Sequence, residues 1–142
     1  MYKKILVALE NSPADETILP HVAEFAAHFG SNLLLLHVAD GWAARNFNKL
    51  ELAESEEIKE DRAYLEKIAG ELRAQKLSVT TLLAMGDPPA EILRAAVAEK
   101  CDLIAMTSHG HRLLGDLFHG STITKVRHHT NIPLLILRAK KI

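Results

Sequence analysis

The sequence holds a single cysteine, Cys101, among its 142 residues. An internal disulfide and a cysteine-based zinc cluster are therefore excluded, and the usage suits a reducing compartment. Charge of one sign is also missing. Seventeen Lys and Arg face eighteen Asp and Glu, for a formal net charge of -1. Bulk charge thus gives no drive toward nucleic acid or a membrane surface. No apolar run approaches the roughly 20 residues of a membrane span. The opening Met1-Tyr2-Lys3-Lys4 leads into an apolar stretch that stops at Glu10, which does not fit a signal peptide. A soluble cytoplasmic protein is the expectation. Internal repeats, low-complexity tracts and linkers are absent. What remains is 48% hydrophobic and 25% charged, the balance of one ordinary globular domain spanning residues 1–142.

Ile5-Leu6-Val7-Ala8-Leu9 and Leu33-Leu34-Leu35-Leu36-His37-Val38 are apolar throughout. Their length suits strands buried on both faces. A weaker strand pattern covers residues 79–84, and further strands are expected over 102–107 and 133–137. Between them lie helical periods. Ile18, Val22, Phe25, Ala26 and Phe29 mark the first, opened by Ser12-Pro13 as cap and first turn and closed by Gly30. Pro20 is expected to kink that helix or delay its start. Residues 39–50, with the only tryptophan, Trp42, read as a loop. Ile58, Leu65, Ile68 and Leu72 mark a helix over residues 51–74, whose acidic first half reads as a solvated face. Gly86-Asp87-Pro88 reads as turn, N-cap and first helical residue. Ile92, Leu93, Ala96 and Val97 carry the face of the helix that follows. A short helix over residues 121–129 precedes the last strand. The order βαβαβαβαβ predicts one open, doubly wound α/β domain, Rossmann-like, with a five-stranded parallel sheet and helices on both faces.

Such sheets bind ligands beyond the carboxyl ends of their strands, where strand order reverses. The fourth strand alone opens into a long segment there, with Gly110, Gly115 and Gly120 before Ser121 starts a helix. Glycines admit backbone N–H groups close to an anion, and a helix start with a hydroxyl adds donors. That pattern fits a phosphate cradle; it equally fits a surface loop with glycine turns. G-x-x-x-x-G-K-[ST] is absent, as is G-x-G-x-x-G after the first strand, so P-loop and dinucleotide readings fail.

The opening K-K-I-L-V-A-L, the L-L-L-L-H-V strand, G-D-P-P-A-E-I-L and N-I-P-L-L-I-L-R together resemble the universal stress proteins over essentially the whole chain. The most specific part is Met106 to Ser121. Nucleotide-binding members carry G-x2-G-x9-G-[ST]; here Thr107-Ser108-His109-Gly110 is followed by nine residues and Gly120-Ser121. The spacing is kept, with Thr107 in the first glycine's place. At the first strand Glu10-Asn11-Ser12 stands where ATP-binding members have Asp-Gly-Ser. The resemblance implies strand order 3-2-1-4-5 and binding of ATP or AMP, with or without Mg²⁺. It implies Glu10, Val38, Met106 and Thr107 around the nucleoside, Gly110, Gly120, Ser121 and Thr122 around the phosphates, and Gly86 and Asp87 at the cleft edge. It also implies a homodimer joined through residues 133–137, an apolar edge strand with little to blunt it. On steric grounds Thr107→Gly is expected to strengthen binding or leave it unchanged.

Five of the eight histidines fall in the last third: His109, His111, His119, His128 and His129. Their spacing gives no converging set of three or four metal ligands. His109 and Arg112 are candidate phosphate contacts, against a reading as solvated loop residues. His37 reads as a satisfied core histidine and Cys101 as a small buried residue. No general base poised for water attack is evident, and no carboxylate beside the phosphate loop suits Mg²⁺ except Asp116, so slow ATP hydrolysis is the most the sequence supports. Two functions follow: a nucleotide-binding regulatory protein, or a nucleotide-free module of the same fold that works by dimerising.

Overall fold

A computed structural model describes residues 1–39, 56–109 and 120–140. Five strands form one parallel sheet: β1 (Lys4–Leu9), β2 (Asn32–Ala39), β3 (Ser78–Met85), β4 (Leu103–Ser108) and β5 (Leu134–Arg138). Their order is β3-β2-β1-β4-β5, as expected. The helices among the described residues are α1 (Asp15–Phe29), α2 (Glu56–Ala74), α3 (Pro88–Ala98) and α4 (Gly120–His128).

The continuous apolar runs behave as strands buried on both faces must. Alternate residues feed two cores. Ile5, Val7, Leu9, Leu33 and Leu35 pack with Ile18 and Val22 of α1 and Leu65, Ile68 and Leu72 of α2. Leu6, Ala8, Leu34 and Leu36 pack with Ile92 and Ala96 of α3 and Val126 of α4. The sheet is thus covered by α1 and α2 on one side and by α3 and α4 on the other.

The helix ends follow local chemistry. Gly30 closes α1 in the left-handed region at φ 69°, which glycine adopts without strain. Asp87 caps α3, its carboxylate accepting from the Ala90 N–H at 3.3 Å, with Pro88 next as expected. Gly86 has φ +136°, and a Cβ there would meet Glu91 Oε1 at 3.3 Å.

Ser12 does act at the entrance to α1: its Oγ accepts from the Ala14 N–H at 3.3 Å, ahead of a turn bonded from Ser12 O, Pro13 O and Ala14 O, although the helix proper starts only at Asp15. Two other expectations need correction. Pro20 does not delay the helix, which continues through it. Val97 does not join the apolar face of α3; it is 73% exposed, and Ala95 is buried instead. The loop at residues 40–50 with Trp42, the start of the second helical pattern at 51–55, and Gly110, His111, Arg112, Gly115, Asp116 and His119 lie outside the described residues.

Candidate functional site

The two central strands separate before they end. β1 pairs with β4 only from Ile5↔Leu103 to Val7↔Ala105. On their outer sides both strands keep their partners further, to Leu9↔His37 and to Ser108↔Arg138. β1 and β4 therefore diverge beyond Val7 and Ala105. This is the point where strand order reverses, and it opens a crevice at the carboxyl ends of the sheet. Glu10 follows β1 into it, while Thr107 and His109 approach from β4.

Glu10 and His109 are 99 residues apart in the chain and meet across this crevice. The His109 Nε2–H donates to Glu10 Oε2 at 2.8 Å and lies 3.0 Å from Oε1. Both side chains are nearly buried, at 5% and 3% exposure. A buried carboxylate needs such a partner, because removing a charge from water without one is strongly unfavourable. The Ser12 hydroxyl adds a longer contact to Glu10 Oε1 at 3.4 Å.

Beneath Glu10 the turn from β1 to α1 is built around Asp15. Its carboxylate accepts from the Glu10 N–H and the Asn11 N–H, both at 2.9 Å, and from the Tyr64 hydroxyl at 2.6 Å. Burial pushes the Asp15 carboxyl above its ordinary range; the donors from Glu10, Tyr64 and Asn11 pull it down but do not win. Burial likewise raises the Tyr64 hydroxyl, helped by its bond to Asp15. Asn11 sits at φ 58°, a left-handed conformation that Asn tolerates better than other side chains. That conformation accounts for Asn at a position where glycine is the residue expected by resemblance. Two successive backbone N–H groups here make an anion-binding concavity. Asp15 fills it, so a ligand phosphate has no place at this turn.

A second chain of bonds ties the turn to β2 and α2. The Asn11 Nδ2–H donates to Asp61 Oδ1 at 2.9 Å. Asp61 Oδ2 lies 3.3 Å from His37 Nε2, and the His37 Nδ1–H donates to Leu9 O at 2.8 Å. His37 is the satisfied core histidine expected from the sequence, at 3% exposure. Asp61 corrects the reading of the acidic run: it is 7% exposed while Glu56, Glu57 and Glu60 are in water.

The remaining candidates are placed as follows. Val38 and Met106 are fully buried, in the core on the α3 and α4 side. Thr107 is 1% exposed, and its Oγ1 has no hydrogen-bond partner. α4 starts at Gly120; Ser121 is exposed and Thr122 is buried in its first turn. Gly86 and Asp87 follow β3, the Gly86 N–H donating to Ala39 O at 3.2 Å. The sheet topology thus brings Glu10, Thr107 and His109 to one crevice. Gly110 and Arg112 lie outside the described residues. Asp15, Tyr64 and Asp61 were not anticipated. The signal for the two aspartates was their spacing, since Asp15 falls three residues before Ile18, and Asp61 between Ile58 and Leu65 on the buried stripe.

Other features carry less chemistry. No group of three or more His, Cys, Asp or Glu able to hold a metal occurs among the described residues. No helix among them is long and apolar enough to cross a membrane. Burial pushes the Cys101 thiol up to about 11, which leaves it protonated and unreactive near neutrality. A groove of about 390 Å³ between α1 and α2 is lined by Leu19, Pro20, Ala23, Ile68 and Leu72, with Glu24, Glu71 and Gln75 also on its walls, and shares no residue with the Glu10–His109 crevice.

The family model described as "Universal stress protein family" matches residues 1–138. A universal stress protein of Thermus aquaticus is 34% identical over 143 residues, covering 97% of this chain and 100% of its own. The universal stress protein MJ0577 of Methanocaldococcus jannaschii is 31% identical over 160 residues, covering 99% of this chain and 97% of its own. Its solved structure superposes with a TM-score of 0.81, covering 100% of this chain and 99% of that one. Two further structures share the fold. One, from Archaeoglobus fulgidus in complex with dAMP, has a TM-score of 0.69 at 21% identity and covers 95% and 97% of the two chains. The other, in complex with cAMP, has a TM-score of 0.68 at 14% identity and covers 98% of each. The order of the strands, the parting of β1 and β4 and the match along nearly the full sequence agree: the chain belongs to the universal stress protein family.

Proposed function

We propose that this protein binds ATP or AMP, with or without Mg²⁺, in the crevice between β1 and β4, and acts in the cytoplasm as a stress-response protein through regulated dimer assembly. The observation that carries the reading is the divergence of β1 and β4 beyond Val7 and Ala105, with Glu10, Thr107 and His109 at the opening. Glu10, Val38, Met106 and Thr107 are the nucleoside side of the site. Gly110, Gly120, Ser121 and Thr122 are its phosphate side, with His109 and Arg112 as further phosphate contacts. Asp15 occupies the N–H pair of the first turn, which favours the second loop and the start of α4 for phosphate. The dAMP and cAMP complexes of two proteins of the same fold support a nucleotide as the ligand class. Slow hydrolysis is the most this reading includes, since Glu10, the one carboxylate among these residues, is engaged by His109. Nucleotide released from freshly purified, denatured protein tests the reading directly. Binding in the micromolar range, about -8 kcal/mol, is expected.

A second reading has one observation in its favour. The Glu10 carboxylate is already engaged by His109, as in a module of this fold that works without nucleotide. Protein that carries no nucleotide and gives no heat with ATP would select it.

Assembly is assigned to β5. It is an edge strand, with Ile136 39% exposed. Unpaired edges of this kind template a symmetric copy of themselves. Leu135 and Leu137 pack partly on the protein's own core, so Ile136→Lys is the cleaner probe. Sedimentation velocity is expected to show a wild-type dimer and a monomeric variant. A wild type sedimenting at 15.7 kDa excludes the dimer.

A further inference from the structure

Between α1 and α2, away from the crevice, runs the groove of about 390 Å³. Ala23, Ile68 and Leu72 are buried and form its floor, while Pro20, Ala27 and Gln75 are exposed along its rim. Spacings of three and four residues keep each set on one side of its helix. Residues 20–27 run about 10 Å at 1.5 Å per residue, two helical turns. Proline and alanine keep the α1 rim low, so another helix can approach closely.

The charges on the walls are all of one sign. Glu24 of α1 and Glu71 of α2 line the groove, and no Lys, Arg or His among the described residues does. Glu56, Glu66, Glu91 and Glu99, elsewhere on the surface, stand 3.0 to 3.9 Å from a Lys or Arg. Glu24 and Glu71 form no ion pair among the described residues. Pro20 adds a further acceptor. It has no N–H, so the Glu16 carbonyl one turn back lacks the donor that a helix normally supplies. An apolar trough bordered by negative charge and a spare carbonyl complements apolar side chains flanked by Lys or Arg.

We propose that this groove is a docking site for a partner protein, which lays a basic amphipathic helix between α1 and α2. Apolar residues of that helix at i, i+3 or i+4 and i+7 sit over Ala23, Ile68 and Leu72. Its flanking Lys and Arg meet Glu24, Glu71 and the Glu16 carbonyl. An apolar floor two turns long suits a helix better than a compact ligand. The groove shares no residue with the Glu10–His109 crevice, so the proposal stands apart from nucleotide binding.

The experiment is fluorescence anisotropy with labelled synthetic peptides of about 18 residues, long enough to form a helix. In the first, leucines at i, i+3 and i+4 spacing are flanked by lysines. The second has Glu for each Lys, and the third has Ser for each Leu. Wild type is expected to bind the Leu–Lys peptide in the micromolar range, and the other two at least about tenfold more weakly. The exposed pair Glu24→Lys with Glu71→Lys is expected to weaken the Leu–Lys peptide by at least about tenfold and to bind the Leu–Glu peptide more tightly than wild type does. That gain is one that a damaged fold would not produce. Failure of wild type to bind the Leu–Lys peptide overturns the proposal, as does equal binding by wild type and the glutamate variant. Equal binding of the Leu–Lys and Ser–Lys peptides shows charge attraction alone and overturns it too. Sedimentation velocity without peptide tests a second copy as the occupant: an assembly of wild type that is lost in the glutamate variant gives the groove to that copy and overturns the partner helix.

Discussion

At the carboxyl ends of the strands Glu10, Asp15, His37, Asp61 and Thr107 are all buried, between 1% and 7% exposed. At the amino ends Ser31 is the buried polar residue among those described, its hydroxyl donating to Tyr2 O. The carboxylate at that end, Asp102, lies near the surface and accepts from the Lys3 N–H at 2.8 Å and the Lys4 N–H at 3.0 Å. Tyr2, Phe25 and Phe29 fill the rest of that end with tilted and edge-on ring contacts, 4.7 to 5.6 Å between centroids. Both ends use an aspartate to hold two successive backbone N–H groups. Only one of them buries it. A buried polar network stabilises nothing that a well-packed apolar cluster would not, so its presence marks the end whose geometry has work to do.

Removing each aspartate sharpens this contrast most. Asp15→Ala leaves the buried Glu10 N–H and the part-buried Asn11 N–H unpaired. Urea denaturation is expected to show a loss of about 2–6 kcal/mol, at roughly 1–3 kcal/mol for each of the two orphaned donors. Asp102→Ala exposes its N–H groups to water and is expected to lose less than about 1 kcal/mol. Equal losses would erase the distinction between the ends. Tyr64→Phe comes next. It removes one donor from Asp15 while leaving the ring packed, and is expected to lose about 1 kcal/mol in the same assay.

The smallest expected effect is a difference in sign with pH. At Asp102 burial raises the carboxyl, but the N–H groups of Lys4, Lys3 and Asp102 itself, with the N-terminal ammonium, outweigh it, and the net shift is downward. Its contribution to stability is therefore present above its ordinary value of 3.8 and lost as pH falls through the lowered folded value. Asp15 is shifted upward from 3.8, so the folded state holds a proton that the unfolded chain has released. Its contribution falls as pH rises from 3.8 through the raised folded value. Stability measured against pH for Asp15→Asn and Asp102→Asn, each compared with wild type, is expected to show opposite slopes in these windows. Slopes of one sign would contradict the account.

The fold was legible because burial and period coincide. Two continuous apolar runs and three further strand patterns, separated by amphipathic stretches, leave few alternatives, and Gly30, Gly86 and Asp87 punctuate them by backbone chemistry that reads directly from residue type. The site was legible only as a region. Ser12 was readable as the entry cap, and its Oγ accepts from the Ala14 N–H; the Asp15 carboxylate that holds the Glu10 and Asn11 N–H groups was not. Asp61 was hidden within an acidic run, although its spacing from Ile58 and Leu65 put it on the buried stripe. The Glu10–His109 contact joins residues 99 apart, and no local pattern encodes it. The unpartnered Thr107 hydroxyl depends on every neighbour at once, which only a folded chain supplies.

The most direct test of the central claim is titration of ATP into wild type and Gly120→Val, followed by calorimetry. Gly120 opens α4 and keeps the nine-residue spacing from Gly110. A Cβ and two methyl groups there would fill the approach of phosphate to the backbone. Wild type is expected to bind in the micromolar range and a folded Gly120→Val variant not at all. Equal affinity in the two proteins would contradict it.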